Sequence, residues 1–201
     1  MLDAGFTNWE DFFRHLGVEG TAVNTLRVAY RSSHQIVSFA VDLLGEYWED
    51  EGYPETTRSG PPVELFQFTD HGATVAFLAD VLNDLLRDEP FASVAILTPG
   101  RDLSKLYYDG LDKGEVPRLR WVDDQEFTFA PGVEITEVES VKGLEFDYVI
   151  LVETSASRYP DSASARRLLH VGATRAVHQL WLTCVGTLSP VVRGALERTR
   201  G

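Results

Sequence analysis

A mostly parallel β-sheet covered by helices on both faces is the α/β architecture that this 201-residue sequence predicts, and three observations predict it. Apolar runs of strand length alternate with stretches of helical period along most of the chain, the pattern of strand–helix–strand units joined by right-handed crossovers. The run Ser93-Val94-Ala95-Ile96-Leu97-Thr98 is that of a buried strand. Hydrophobic content of 44% and charged content of 24% belong to a globular chain and argue against disorder, a collagen-like repeat or a disulfide scaffold. The length suits one core.

The elements follow in order. Thr7 or Asn8 caps a short opening helix that sets Trp9, Phe12 and Phe13 on one face. Residues 25–30 read as a strand that runs into Arg31-Ser32-Ser33, where a serine caps a long helix. That helix carries Ile36, Val37, Phe39, Ala40, Leu43, Leu44, Tyr47 and Trp48 at helical period and ends before Gly52. Residues 52–62 hold three prolines and two glycines and read as a surface loop. A strand over 63–68 and an amphipathic helix over 71–88 come next, the latter with Val75, Leu78, Ala79, Leu82, Leu85 and Leu86 inward. The strand at 93–98 and a helix over 101–112 lead to strands near 118–123, 133–138 and 147–153. A helix near 162–173, a strand over 179–184 and a closing helix from 188 complete the chain. No repeat or low-complexity tract interrupts it.

Charge and composition narrow the function. Eighteen basic against 31 acidic residues give a net −13, a field that repels polyanions, so the chain by itself is expected to bind nucleic acid poorly. Screening confines each charge to about 8–10 Å at ordinary salt, so a local basic site remains compatible with that field. The one cysteine, Cys184, excludes an intrachain disulfide and a thiolate zinc site. No apolar window approaches the roughly 18 residues of a membrane span, and the start Met1-Leu2-Asp3 lacks a signal peptide's regions. A cytoplasmic protein is the expectation.

Open parallel sheets hold ligands at the carboxyl ends of their strands, so the loops after strands are the expected sites. Three stand out. Arg31 follows an apolar strand and precedes a helix, where a guanidinium is offered to an anion or, equally, pairs with a nearby carboxylate. Lys142-Gly143 with Glu145 suit a phosphate and a ribose hydroxyl, or else a capped turn with an acid on a wet edge. Arg175 ends a helix beside the small residues Gly172, Ala173 and Ala176, which would let another surface approach. It suits charge neutralisation in phosphoryl transfer, worth a factor of about 10³–10⁵. It equally suits the helix dipole, worth about 0.3–1 kcal/mol.

Taken together, three strings resemble motifs IV, V and VI of Rep/UvrD-type superfamily 1 helicases, in order and spacing. They are Leu26-Arg27-Val28-Ala29-Tyr30-Arg31-Ser32-Ser33, Ser140-Val141-Lys142-Gly143-Leu144-Glu145-Phe146-Asp147-Tyr148-Val149-Ile150, and Leu168-Leu169-His170-Val171-Gly172-Ala173-Thr174-Arg175-Ala176. The resemblance spans nearly the whole chain and implies a three-layer RecA-like domain, of the P-loop NTPase type, over residues 1–201. Residues 1–24 would be a lead-in following motif III and residues 25–201 the core, with no accessory insertion before motif V.

The resemblance implies roles. Arg31 and Arg175 would reach the γ-phosphate of ATP, Tyr30 would stack on adenine, Glu145 would hold the ribose, and Lys142 and Gly143 would complete the nucleotide-facing turn. Ser140 would lie at the nucleic-acid side. Neither a G-x-x-x-x-G-K-[ST] loop nor an acidic strand end for Mg²⁺ is present, so ATP, Mg²⁺ and catalysis would require an N-terminal RecA-like domain, and this chain alone is expected to be inactive. A fragment of a longer ATP-dependent DNA helicase acting on single-stranded DNA is the reading this implies. Glu137 and Glu139 replace the usual threonine and histidine of motif V, where a carboxylate repels phosphate; Ala29 replaces an asparagine and His170 a tyrosine. His170 reads as a packing residue rather than a catalyst. The acidic balance and altered motif V also suit a HelD-like ATPase working on RNA polymerase, and a non-catalytic RecA-like binding module is a third reading.

Overall fold

The computed structural model describes residues 14–17, 28–29, 31–48, 52–123, 126–128 and 130–199. The opening helix expected over 6–13 lies outside the described residues. The strand expected at 25–30 is described only at β1 (Val28–Ala29), which pairs in parallel with β2 (Glu55–Thr56) in a separate two-stranded sheet. The loop predicted over 52–62 therefore contributes a strand, because β1 needs a partner outside the main sheet.

The main sheet contains β3 (Glu64–Phe68), β4 (Ser93–Thr98), β5 (Leu119–Trp121), β6 (Gly132–Glu137), β7 (Phe146–Leu151) and β8 (Ala176–Val185). Its order is β3-β8-β7-β4-β6-β5, and every neighbouring pair runs parallel. Successive residues of a strand face opposite sides. Accordingly Ala95 and Leu97 of β4 and Val149 and Leu151 of β7 enter one core, while Val94, Ile96, Ile150 and Val152 enter the other.

The first core is closed by α1 (His34–Leu44), α4 (Ala163–Ala173) and α5 (Pro190–Thr199) through Phe39, Leu43, Leu169 and Val192. The second is closed by α2 (His71–Asp88) and α3 (Arg101–Lys113) through Leu78, Leu82, Tyr107 and Leu111. Helices thus cover both faces, as the alternation predicts. Among the described residues no helix is long and apolar enough to cross a membrane.

Local chemistry sets the helix ends. Asp70 accepts from the Ala73 N–H at 2.8 Å to cap α2, and Ser162 accepts from the Ala165 N–H at 3.3 Å to cap α4. The helix expected to run on to Trp48 instead stops at Leu44 and passes into a 3₁₀ turn over Gly45–Tyr47. Gly45 takes φ of +57°, and a Cβ there would lie 2.9 Å from the Arg166 guanidinium.

Gly172 has a different use from the one the sequence suggests. A Cβ at this buried position would meet Leu151 Cδ2 at 2.7 Å and Val138 Cγ1 at 3.2 Å. The missing side chain lets α4 settle onto the sheet, not an outside surface onto Arg175. Gly172→Ala is therefore expected to lower stability by about 1–3 kcal/mol through overpacking, read as a shift in the denaturant midpoint.

Candidate functional site

Two parallel strands begin next to each other, and their first residues bring the site together. Phe146 of β7 is registered opposite Ala176 of β8, and the Phe146 N–H donates to the Arg175 carbonyl at 2.9 Å. The residues just before the two strands, Glu145 and Arg175, therefore share one edge of the sheet. Arg31 joins them from the turn before α1, its guanidinium paired with the Glu145 carboxylate. The neighbouring Ser32 hydroxyl donates to the Ala176 carbonyl at 2.6 Å.

This is the amino edge of the sheet, not the carboxyl edge that the rule for open sheets predicts. The reason is topological. Because β1 stands outside the main sheet, α1 is not a crossover within it and is not bound to start at the carboxyl edge. It runs antiparallel to α4: Ser32 contacts Ala176, His170 contacts Ala40 and Arg166 contacts Leu43. The N-terminus of α1 and the C-terminus of α4 then meet at one edge. The carboxyl edge carries a different polar group, in which His71 Nδ1 lies 3.3 Å from the buried Tyr107 hydroxyl and 3.8 Å from Glu153 Oε2.

The two arginines are held differently. Arg175 is half-buried and donates through Nε to Val171 O at 3.1 Å, through one terminal nitrogen to Leu144 O at 3.0 Å and through the other to Thr174 Oγ1 at 3.0 Å. Burial pushes its pKa below the ordinary arginine value, and the Glu145 charge acts in the opposite direction. Arg31 is far more exposed, its side chain 74% accessible and held, among the described residues, by the one pair to Glu145.

The remaining expected residues scatter around this pair. Gly143 turns the chain at φ of +82° between the 3₁₀ segment Val138–Val141 and β7. Ser140 is half-buried within that segment. Lys142 is exposed and lines a groove of about 600 Å³ against the start of α4, which Arg31 and Glu145 do not line. Tyr30 lies outside the described residues. Among the described residues no three His, Cys, Asp or Glu side chains are grouped to hold a metal ion.

The groove also collects two cations that the sequence reading missed. Arg158 and Arg167 line it beside Lys142, Ser162 and Glu139. Arg158 also donates to Asp102 at 2.6 Å, which holds that carboxyl below its usual range, and the Arg167 guanidinium sits 5.9 Å from the centre of the Tyr47 ring. Arg158 stands in the loop after β7, where a rule favouring the loops that follow strands could have found it.

Residues 132–183, from β6 into β8, match the family model of the UvrD-like helicase C-terminal domain. The match is confined to that segment. This UvrD-like segment contains the 3₁₀ turn, Glu145, α4 and Arg175, and covers about a quarter of the chain. The C-terminal domain of a possible DNA helicase from Lactobacillus plantarum WCFS1 is similar over 85% of this chain and 96% of its own, with TM-score 0.68 and 25% identity. The UvsW helicase from bacteriophage T4 matches over 68% of this chain and 51% of its own, with TM-score 0.48 and 10% identity, too distant to bear on function. No curated protein matches the chain in sequence. The chain thus has the fold of a helicase C-terminal domain around its UvrD-like segment.

His170, which stands in this segment, acts in packing. Its Nδ1 donates to Ala40 O at 2.8 Å, joining α4 to α1, and burial lowers its pKa below the usual 6.5. The folded state therefore disfavours the proton that the unfolded chain accepts. The stability held by the neutral ring is complete above about pH 6.5 and is lost as the pH falls below it. Thermal melts between pH 7.5 and 5.5 should show a decline in the wild type that is shallower in His170→Gln.

Proposed function

We propose that this chain is the second motor domain of an ATP-dependent DNA helicase or translocase. It closes on a P-loop-bearing domain and supplies Arg31 and Arg175 to the γ-phosphate and Glu145 to the ribose, with Tyr30 against the adenine. The observation that carries this reading is the convergence at the amino edge: Arg31 pairs with Glu145, and Arg175 donates to the adjoining Leu144 carbonyl. Two cationic forks and a carboxylate on one rim match the charge pattern of a nucleoside triphosphate.

Without nucleotide, Arg31 and Glu145 neutralise each other. An exposed pair of this kind is worth about 0–1 kcal/mol, so a phosphate and a ribose hydroxyl can displace it at little cost. Arg175 keeps its backbone bonds and offers a pre-set guanidinium, which requires little reorganisation when charge develops on the transferring phosphoryl group. The ligands of Mg²⁺ are assigned to the P-loop domain.

Single-stranded DNA is assigned to the groove lined by Lys142, Arg158 and Arg167, whose cations counter the repulsion from Glu139. Neither the family match nor the solved relatives supports an RNA polymerase partner.

In the full-length protein carrying both motor halves, Arg175→Ala and Arg31→Ala should each lower DNA-stimulated ATP turnover by at least about 10²-fold. Wild-type turnover in either variant would refute the role given to that residue. For the groove, Lys142→Ala with Arg167→Ala should weaken binding of single-stranded DNA. The log–log salt slope should flatten by about 0.7 for each phosphate contact removed, measured by fluorescence titration.

A further inference from the structure

The loop between β2 and β3 closes over the N-terminus of α1 through several hydrogen bonds. Ser33 occupies the N-cap position of α1, yet its side chain makes no cap bond and its hydroxyl is buried without a partner. The exposed donors of a helix's first turn need acceptors from elsewhere. Here the acceptor for the His34 N–H is the Arg58 carbonyl, at 2.9 Å. The same residue's guanidinium donates through one terminal nitrogen to the Arg31 carbonyl at 2.9 Å and through the other to His178 Nδ1 at 3.0 Å. Gln35 fastens the neighbouring residues, donating to Ser59 Oγ at 3.1 Å and accepting from the Gly60 N–H at 2.9 Å.

His178 is itself anchored to the sheet. Arginine has no acceptor, so His178 Nδ1 must accept, which leaves the proton on Nε2, 3.4 Å from Asp147 Oδ1. Asp147 Oδ2 in turn accepts from the Ser93 N–H at 2.9 Å and the Ser93 hydroxyl at 2.8 Å. Hydrogen bonds, joined by the 3.4 Å contact between His178 and Asp147, therefore link the backbone of Arg31 to the amino ends of β8, β7 and β4.

We propose that Arg58 is a positioning residue: by tying the Arg31 carbonyl to His178 and capping α1 with its own carbonyl, it holds the Arg31 guanidinium at the amino edge beside Glu145. This rests on the role given to Arg31 above. Arg58 donates to the Arg31 carbonyl and to His178, so its effect is assigned to the placement of Arg31. Displacing a catalytic group by about 1 Å costs up to about 10²-fold in rate. The expected penalty for losing Arg58 is of that kind, carried by kcat with little change in KM for ATP.

The test combines two readouts on the full-length protein. Steady-state ATP turnover is measured for Arg31→Ala, Arg58→Ala, Arg58→Lys and the Arg31→Ala/Arg58→Ala double variant. Amide hydrogen exchange at His34 is followed in the wild type and Arg58→Ala. Arg58→Ala should lower kcat by about 10-fold or more. Arg58→Lys should recover part of that loss, and the double variant should be no slower than Arg31→Ala. Exchange at His34 should quicken in Arg58→Ala. A double variant slower than Arg31→Ala, or normal kcat in Arg58→Ala while Arg31→Ala is impaired, overturns the positioning role and leaves the proposed function intact. Unchanged exchange at His34 overturns the tether independently of any activity. Normal turnover in Arg31→Ala removes the function assigned to Arg31 itself.

Discussion

The parallel register of β7 against β8 is the constraint from which the site follows. Setting Phe146 opposite Ala176 places the residues before each strand side by side, and these are Glu145 and Arg175. A shift of one residue would turn Ala176, Leu180 and Leu182 away from the core of α1, α4 and α5. Hydrophobic burial thus fixes the register from Tyr148 onward, and a one-residue register shift between Phe146 and Tyr148 sets the pairing that joins Glu145 to Arg175. The site's geometry therefore depends on this irregularity as well as on core packing.

Electrostatics then divides the labour between the two arginines. The chain carries net −13, so an exposed cation readily finds a carboxylate partner, and Arg31 finds Glu145. That pairing is weak enough to exchange for a ligand. Arg175 is held by three bonds to Val171, Leu144 and Thr174, all within α4 and the turn before β7. Among the described residues, one guanidinium is exposed in a single pair and the other is held by three bonds. Such a division suits a site that must both open to admit a polyanion and present a rigid charge to it.

Much of the sheet and several of its helices were readable because hydrophobic periodicity is local: the helix over 71–88 and the strand over 93–98 coincide with α2 and β4. The strings around Lys142 to Asp147 and Gly172 to Ala176 were readable because their residue types are unusual in that order. Gly172 was misread because its role depends on Leu151 and Val138, which sequence does not place beside it. The expected serine cap on α1 failed because Arg58, 24 residues beyond His34, supplies the acceptor instead. Arg167 went unnoticed because it has no distinctive neighbour in the chain, and Arg158 because the loop after β7 was not searched for cations.

Taken by itself, the sequence determined the α/β class and the order of most strands and helices, and it singled out the residues proposed to bear the chemistry, since all of these reside in short-range pattern. Which edge of the sheet those residues occupy, which of the two arginines is exposed and which loop bonds the Arg31 backbone were decided only in three dimensions. The physical reason is that each depends on pairing between segments far apart in the chain. Whether β1 joins the main sheet, how α1 crosses α4 and which carbonyl meets the His34 N–H are settled by competition among distant partners, and no local preference encodes its result.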